Sequence, residues 1–133
     1  MKTRFALVVA AAMLLACQSS VDSSNAVVGY WSNDDVHLSA TSTAAVLDMP
    51  CQQAGFAALV VDSTGNFSAE SSSFTESGNV NQQPGDKLHI GGHLTADTLF
   101  LTVYVIHPSP PVSDPLAFRL VAGGSHTTPV CTA

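Results

Sequence analysis

The chain has little positive charge. Its 133 residues include four lysines and arginines against ten aspartates and glutamates, which gives a formal net charge of −6 at pH 7. Proteins that bind nucleic acid, or that are held to anionic lipid headgroups by charge, need a surface rich in Lys and Arg. We therefore expect neither nucleic acid nor an anionic headgroup surface among the partners of this chain.

Motifs for metal binding and catalysis are also missing. The sequence has no Gly-x-Ser-x-Gly nucleophile elbow, no glycine-rich phosphate loop and no Cys-x-x-Cys pair. His89 and His93 are four residues apart, which on a strand separates them by about 13 Å and is too far for one metal ion. Only a sharp bulge at Gly91 and Gly92 would bring the two rings together. We therefore expect no metal and no cofactor.

Helical periodicity is nearly absent after residue 17. No stretch repeats apolar residues with a helical spacing for three turns, whereas β-branched runs between turn residues are frequent. The pattern predicts an all-β domain, a small antiparallel β-barrel or sandwich of seven to nine strands. The candidate strands are residues 27–31, 36–39, 44–49, 56–61, 66–70, 87–94, 98–106, 116–121 and 128–131, with a further short strand near Phe74.

Two hairpins are predicted from turn chemistry. Strands 56–61 and 66–70 flank a turn that begins with Asp62 and ends with Gly65, where glycine suits the left-handed position. Strands 87–94 and 98–106 flank a second turn at residues 95–97. Strand 98–106 is apolar on both faces, which predicts a central strand or one whose outer face contacts a partner.

The first 17 residues carry the pattern of an export signal. Lys2 and Arg4 precede twelve uninterrupted apolar residues, 5–16. As a helix this run would span only ~18 Å of a hydrocarbon core that is ~30 Å thick. The run is therefore typical of a cleaved signal peptide and not of a membrane span.

Residues 14–17, Leu-Leu-Ala-Cys, resemble the lipobox of bacterial lipoproteins. The resemblance implies a signal peptide of residues 1–16, a lipidated tether of residues 17–25 and a β domain of residues 26–133. Cys17 would carry the acyl chains, such as palmitate, that anchor the protein in the membrane, since one chain alone binds only marginally. Gln18 after the cysteine implies the outer membrane in a Gram-negative envelope. Removal of Lys2 and Arg4 would leave two basic residues against ten acids, a formal charge of −8.

The cysteine count then predicts one disulfide. With Cys17 acylated, only Cys51 and Cys131 remain, and an even remainder in an exported chain is typical of a disulfide bond. The bond would close a loop of 80 residues. Loop-closure entropy assigns such a bond up to ~4.5 kcal/mol of stabilisation.

Gly29 and Trp31 match the Gly-x-Trp of the first strand in lipocalins. The resemblance implies a barrel in which the tryptophan packs across the closed end and an apolar cavity lies behind it. Trp31, Phe100 and Tyr104 are the ligand-binding residues that this hypothesis selects. The alternative is that Trp31 is a buried core residue with no role in binding.

Residues 29–131 also resemble a group of small exported β-rich bacterial proteins. This resemblance implies the disulfide and the β fold, and it implies no activity. The matching residues are Cys51, Leu59-Val60-Val61, Asp62-Ser63-Thr64-Gly65-Asn66-Phe67, Gly92-His93-Leu94, Leu101-Thr102-Val103, Phe118-Arg119-Leu120 and Cys131.

Three functional hypotheses remain open at this point. The first is a non-enzymatic, lipid-anchored domain of the cell envelope that binds a protein or a small molecule. The second is a lipocalin-like carrier of a small apolar ligand. The third is a hydrolase whose Ser, His and Asp residues come together only on folding, since all three residue types are plentiful along the chain.

Overall fold

The computed structural model describes residues 20–21, 25–76, 84–108 and 113–123. The export signal, Cys17, Cys131 and the strand expected at residues 128–131 lie outside the described residues. The described part contains strands and no helix, which confirms the all-β prediction. Accordingly, no helix in these ranges is long and apolar enough to cross a membrane.

Nine antiparallel strands form one curled sheet with the shape of a half-barrel. A further two-residue strand, β1, pairs with the start of β2 and falls within the segment expected to be a tether. The order of the nine strands across the sheet is β6-β8-β9-β10-β2-β3-β4-β5-β7. The strands are β1 (Ser20–Val21), β2 (Val27–Ser32), β3 (His37–Ala40), β4 (Ala44–Met49), β5 (Gln52–Ala57), β6 (Asn66–Glu70), β7 (Ser73–Glu76), β8 (Lys87–Leu94), β9 (Thr98–Ile106) and β10 (Leu116–Ala122).

The two outermost strands of the sheet, β6 and β7, are joined in the chain by Ser71 and Ser72. The Ser71 N–H donates to the Leu88 carbonyl of β8 at 2.8 Å, and the Leu88 N–H donates back to Ser71 Oγ at 2.9 Å. The Ser72 N–H donates to the Gly55 carbonyl of β5 at 2.8 Å. One bent segment therefore bridges the two ends of the curled sheet, which covers backbone groups that would otherwise form open edges.

The second predicted hairpin is confirmed. β8 and β9 cover the expected residues and pair along their whole length, from Lys87 opposite Ile106 to Leu94 opposite Leu99. β9 lies between β8 and β10, which confirms its prediction as a central strand. Its Leu99, Leu101 and Val103 side chains are buried, because alternate residues of a strand face the same side of the sheet.

The first predicted hairpin is wrong. Its turn forms as expected, with the Gly65 N–H donating to the Asp62 carbonyl at 3.0 Å and Gly65 at a φ of 87°. The strand before the turn, however, is β5, which pairs with β4 and β7, while β6 pairs with β8. Val60 forms only an isolated bridge with Ala26. The turn residues predict where the chain reverses, but they do not determine which strand β6 pairs with. Its partner, β8, lies about 20 residues further along the chain.

A single apolar core fills the concave side of the sheet. Trp31 is completely buried, and its indole N–H donates to the Val28 carbonyl at 3.3 Å. Each core strand contributes alternate residues to this side, as the pleat of a sheet requires. The largest fully buried side chains are Trp31, Leu38, Leu47, Leu59, Leu88, Ile90, Leu99, Leu101, Leu120, Val27, Val36 and Val103.

Candidate functional site

A buried aspartate and a histidine meet where β8 begins and β9 ends. The register that pairs Lys87 with Ile106 places the next residues, Asp86 and His107, beside each other. His107 Nδ1 lies 2.8 Å from Asp86 Oδ1, and the Asp86 side chain is only 1% exposed. An ionised carboxylate can only accept a hydrogen bond, so Nδ1 donates to it.

A second polar pair lies on the other side of the same end of the sheet. Gln52 of β5 is opposite Glu76 of β7. The Gln52 amide Nε2 donates to Glu76 Oε1 at 2.7 Å, and both side chains are half-buried. This hydrogen bond fixes one oxygen of the Glu76 carboxylate against the strand that faces it.

The two polar pairs border a partly open cavity of about 320 Å³. Its volume is at the lower limit for small-molecule sites, which combine an apolar lining with a few placed polar groups. We call this end of the half-barrel the cavity end. The described lining residues are Gln52, Glu76, Leu88, Val103, Tyr104, Val105, His107, Ser113, Asp114 and Leu116.

Ser113 is hydrogen-bonded to β9 just outside the paired region of β9 and β10, which ends at Val103 and Leu116. The Val105 N–H donates to Ser113 Oγ at 2.7 Å, and the Ser113 N–H donates to the Val105 carbonyl at 3.1 Å. These two bonds hold residue 113 next to β9 although β10 begins only at Leu116. The neighbouring Asp114 is thereby kept at the mouth of the cavity.

A second cavity of about 320 Å³ adjoins the first. The two cavities share Gln52 and Leu116, and Leu116 is 55% exposed. The cavity end therefore carries two neighbouring cavities with Gln52 and Leu116 between them. The remaining described lining residues of the second cavity are Asp35, Val36, Met49, Pro50 and Phe118.

The ionisable side chains that line the two cavities are acidic, with His107 as the one basic residue among those described. Glu76 and Asp114 line the first cavity, and Asp35 lines the second cavity. The described lining residues of both cavities include no lysine and no arginine. The field at the cavity end therefore favours positive groups.

The three aromatic residues selected from the sequence do not share a site. Trp31 lies in the core and lines neither cavity. Phe100 is on the outer face of the sheet and 45% exposed. Tyr104 contributes to the lining of the first cavity, and its ring stacks on His89 with centroids 4.8 Å apart.

The His89 and His93 rings are held apart by a regular strand. β8 pairs with β9 without interruption through Gly91 and Gly92, so the bulge that would unite the two histidines does not form. His89 stacks on Tyr104, and His93 Nδ1 is hydrogen-bonded to Asn66 Oδ1 at 2.7 Å. Within the described ranges, no three His, Cys, Asp or Glu side chains are grouped for a metal ion.

A separate polar pair lies on the outer face of β2 and β3. The Tyr30 hydroxyl is hydrogen-bonded to His37 Nδ1, and His37 is only 3% exposed. Burial, and secondly the charge of Asp48, raise the pKa of Tyr30 above its ordinary value. His37 Nε2 has no hydrogen-bond partner in the described part of the chain. Neither residue lines the two cavities.

Apart from Tyr104, sequence reasoning missed the residues that line or border the cavity, although a signal for one pair was present. Counting outward from the turn at residues 95–97 pairs 87 with 106 and so places Asp86 beside His107. Gln52 and Glu76 offered no such signal, because β5 and β7 are not joined by a hairpin turn. Ser113 follows the strand break at residues 107–111 and could not be assigned to a partner.

Comparison with known protein families, with curated proteins and with solved structures finds no match to this chain.

Proposed function

We propose that this protein is a non-enzymatic, envelope-anchored binding domain that holds a small, partly apolar ligand at its cavity end. The observation that carries the proposal is the 320 Å³ cavity with polar groups fixed at its border. Leu88, Val105 and Leu116 supply apolar contact area, while the Asp86–His107 and Gln52–Glu76 pairs supply oriented polar atoms. This combination is typical of small-ligand sites.

The site differs from the carrier cavity that the lipocalin resemblance implies. A lipocalin-like ligand would lie behind Trp31, but that side chain is buried in the apolar core. The cavity that supports binding lies instead at the ends of β5, β7, β8 and β9. Its small volume favours a compact ligand over a long acyl chain.

Binding can be tested with the full-length protein in nanodiscs of zwitterionic lipid and the neutral probe 2-naphthalenemethanol. Titration calorimetry, with empty nanodiscs as the reference, should give a saturable signal. Leu116→Trp fills the mouth of the cavity and should abolish that signal. Val121→Trp is the matched control, because Val121 is also exposed and lies on the same strand but lines neither cavity. Absence of binding, or unchanged binding by Leu116→Trp, would refute the proposal.

The location outside the cytoplasm is part of the proposal. Its support is the sequence of residues 1–17, with an apolar run too short to span a bilayer and a lipobox-like end at Cys17. Cells fed a radiolabelled fatty acid should label the wild-type protein and not the Cys17→Ala variant. Label that persists in the variant would overturn the anchor at this residue.

The Cys51–Cys131 disulfide is likewise proposed. Pro50 and Cys51 form the two-residue turn between β4 and β5, since Met49 pairs directly with Gln52. Cys51 has a φ of 63°, in the left-handed region that residues other than glycine rarely adopt. A positive φ at the second residue of a two-residue turn is a property of the turn, so the support for the disulfide is the pair of cysteines that remains once Cys17 is acylated.

A hydrolase is the second candidate, and it rests on three residues of the same cavity. Asp86 orients His107 as the acid of a catalytic triad orients its histidine, and Ser113 lines the same cavity. Ser113 Oγ, however, accepts a hydrogen bond from the Val105 N–H. Among the described residues, no hydrogen bond joins Ser113 to His107. This arrangement favours binding. Ester hydrolysis by the wild type that Ser113→Ala abolishes would reverse the preference.

A further inference from the structure

The cavity combines an apolar wall with a polar border that includes two carboxylic acid side chains, Glu76 and Asp114. Leu88, Val105 and Leu116 form part of the wall. When they are ionised, the carboxylates of Glu76 and Asp114 accept hydrogen bonds and donate none. A ligand that fits both regions has an apolar body and a group that donates hydrogen bonds.

The position of the Glu76 carboxylate is set before any ligand arrives. The Gln52 amide donates to Oε1 at 2.7 Å, and the two residues are directly opposite each other in β5 and β7. A group that is already fixed in place loses little side-chain entropy on binding, and this improves affinity. The same applies to His107, whose Nδ1 is bonded to the buried Asp86.

The charge of the cavity lining indicates whether the hydrogen-bond donor of the ligand is neutral or positively charged. Glu76 and Asp114 both line this cavity. Its described lining residues include no lysine or arginine, and its one basic residue, His107, is bonded through Nδ1 to the Asp86 carboxylate. An ammonium group near two partly screened carboxylates is attracted, whereas a carboxylate ligand of the same shape is repelled.

We infer that the cavity end takes a small amphipathic amine, with its apolar body against Leu88, Val105 and Leu116 and its ammonium group at Glu76 and Asp114. The inference rests on the proposed binding function and adds the chemical class of the ligand.

The chain as a whole is acidic, with a formal charge of −6, so a general attraction for cations must be separated from a local one. Glu70 allows this separation. It is an exposed residue of β6 that pairs with His89 in the sheet and lines neither cavity. Glu70→Gln and Glu76→Gln change the net charge equally, but only the second removes a carboxylate from the cavity.

The experiment compares three probes with one ring system, namely 2-naphthylmethylamine, 2-naphthalenemethanol and 2-naphthoate. Each is titrated by calorimetry into the full-length protein in zwitterionic nanodiscs, with empty nanodiscs as the reference. We expect the amine to bind at least about five-fold more tightly than the alcohol, and the carboxylate to bind more weakly than either. Glu76→Gln should weaken amine binding by about three- to ten-fold and alcohol binding by a smaller factor, because the amide oxygen of glutamine still accepts a hydrogen bond from the hydroxyl, while Glu70→Gln should change amine affinity by less than about two-fold.

The outcomes separate the two proposals. If the alcohol binds at the cavity but the amine has no advantage, the amine inference is wrong and the binding function stands. If Glu76→Gln and Glu70→Gln weaken the amine equally, the preference comes from overall charge and the inference is again wrong. If none of the three probes binds, the binding function fails, and the amine inference fails with it.

Discussion

The interior of the half-barrel is packed at one place and hollow at another. Around Trp31 the inward-facing side chains are apolar and almost completely buried. At the cavity end, inward positions of β5, β7 and the segments flanking β8 and β9 carry Gln52, Glu76, Asp86 and His107. Both regions are built by the same alternation of strand residues, so the change from apolar to polar side chains is what turns a core into a candidate site.

The comparison also separates stability from binding. A side chain packed in the core contributes to folding through its buried apolar area. The polar residues of the cavity end gain less from burial, because each must keep a hydrogen-bond partner. We therefore expect substitutions in the core to lower the free energy of unfolding and substitutions at the cavity end to act mainly on ligand binding.

The largest effect is expected from truncation of Trp31. Trp31→Ala leaves a cavity in the core and should lower the free energy of unfolding by about 3–5 kcal/mol, as measured by urea denaturation. Phe100→Ala removes another aromatic ring, but one that is 45% exposed, and should cost less than about 1 kcal/mol. Equal losses from the two variants would contradict the assignment of Trp31 to the core.

The proposed disulfide at Cys51 should stabilise the folded state. Cys51→Ser removes the bond and should lower the free energy of unfolding by up to ~4.5 kcal/mol. Cys51→Gly also removes it but relieves the φ of 63°, so it should be about 1 kcal/mol more stable than Cys51→Ser. A reductant should lower the melting temperature of the wild type only. If reductant leaves the wild-type melting temperature unchanged, the disulfide is wrong.

Two adjacent glycines of β8 test the close packing of the core edge. A Cβ at Gly92 would lie 2.4 Å from Cζ of Phe67, whereas the nearest described atom to one at Gly91 is the Phe67 carbonyl oxygen at 3.9 Å. Gly92→Ala should therefore lower the free energy of unfolding by about 1–3 kcal/mol through overpacking. Gly91→Ala is the matched control and should be neutral or slightly stabilising in the same denaturation experiment. The reverse order would mean that Phe67 does not cover Gly92.

The smallest effect is expected at Asp62, in the turn before β6. Hydrogen bonds, first from the Thr64 hydroxyl and then from the Asn66, Thr64 and Gly65 N–H groups, lower the pKa of Asp62 below its ordinary value of 3.8. A lowered pKa in the folded state gives stability that is present above the unfolded value and is lost as the pH falls through the folded value. The stability advantage of wild type over Asp62→Asn should therefore shrink below about pH 4. A constant difference down to about pH 2 would contradict this reading.

The fold was predictable where local sequence decides it. β8, β9 and their turn follow from alternating apolar residues and a short polar break, and the structure has them at the expected residues. The segment before Gly65 shows the limit. Its turn residues were predicted correctly, but β6 pairs with β8, where Phe67 packs over Gly92, and no local pattern encodes that distant contact.

The candidate site was less predictable than the fold. The sequence drew attention to three aromatic residues, of which Trp31 packs in the core, Phe100 lies on the outer face and Tyr104 alone lines the cavity. The residues that border the cavity are common polar types, and their significance arises from the register and curl of the sheet. Only Asp86 and His107 could have been paired in advance, from the β8–β9 register.

The most direct test of the account is to map where a neutral ligand binds by amide chemical shifts. Titration of isotopically labelled full-length protein in nanodiscs with 2-naphthalenemethanol should shift the amide signals of Val105, His107 and Leu116 along one saturation curve. The indole N–H signal of Trp31 should stay in place. Saturable shifts centred on the Trp31 indole, or no saturable shift at the cavity end, would contradict the division between a packed core and a binding cavity.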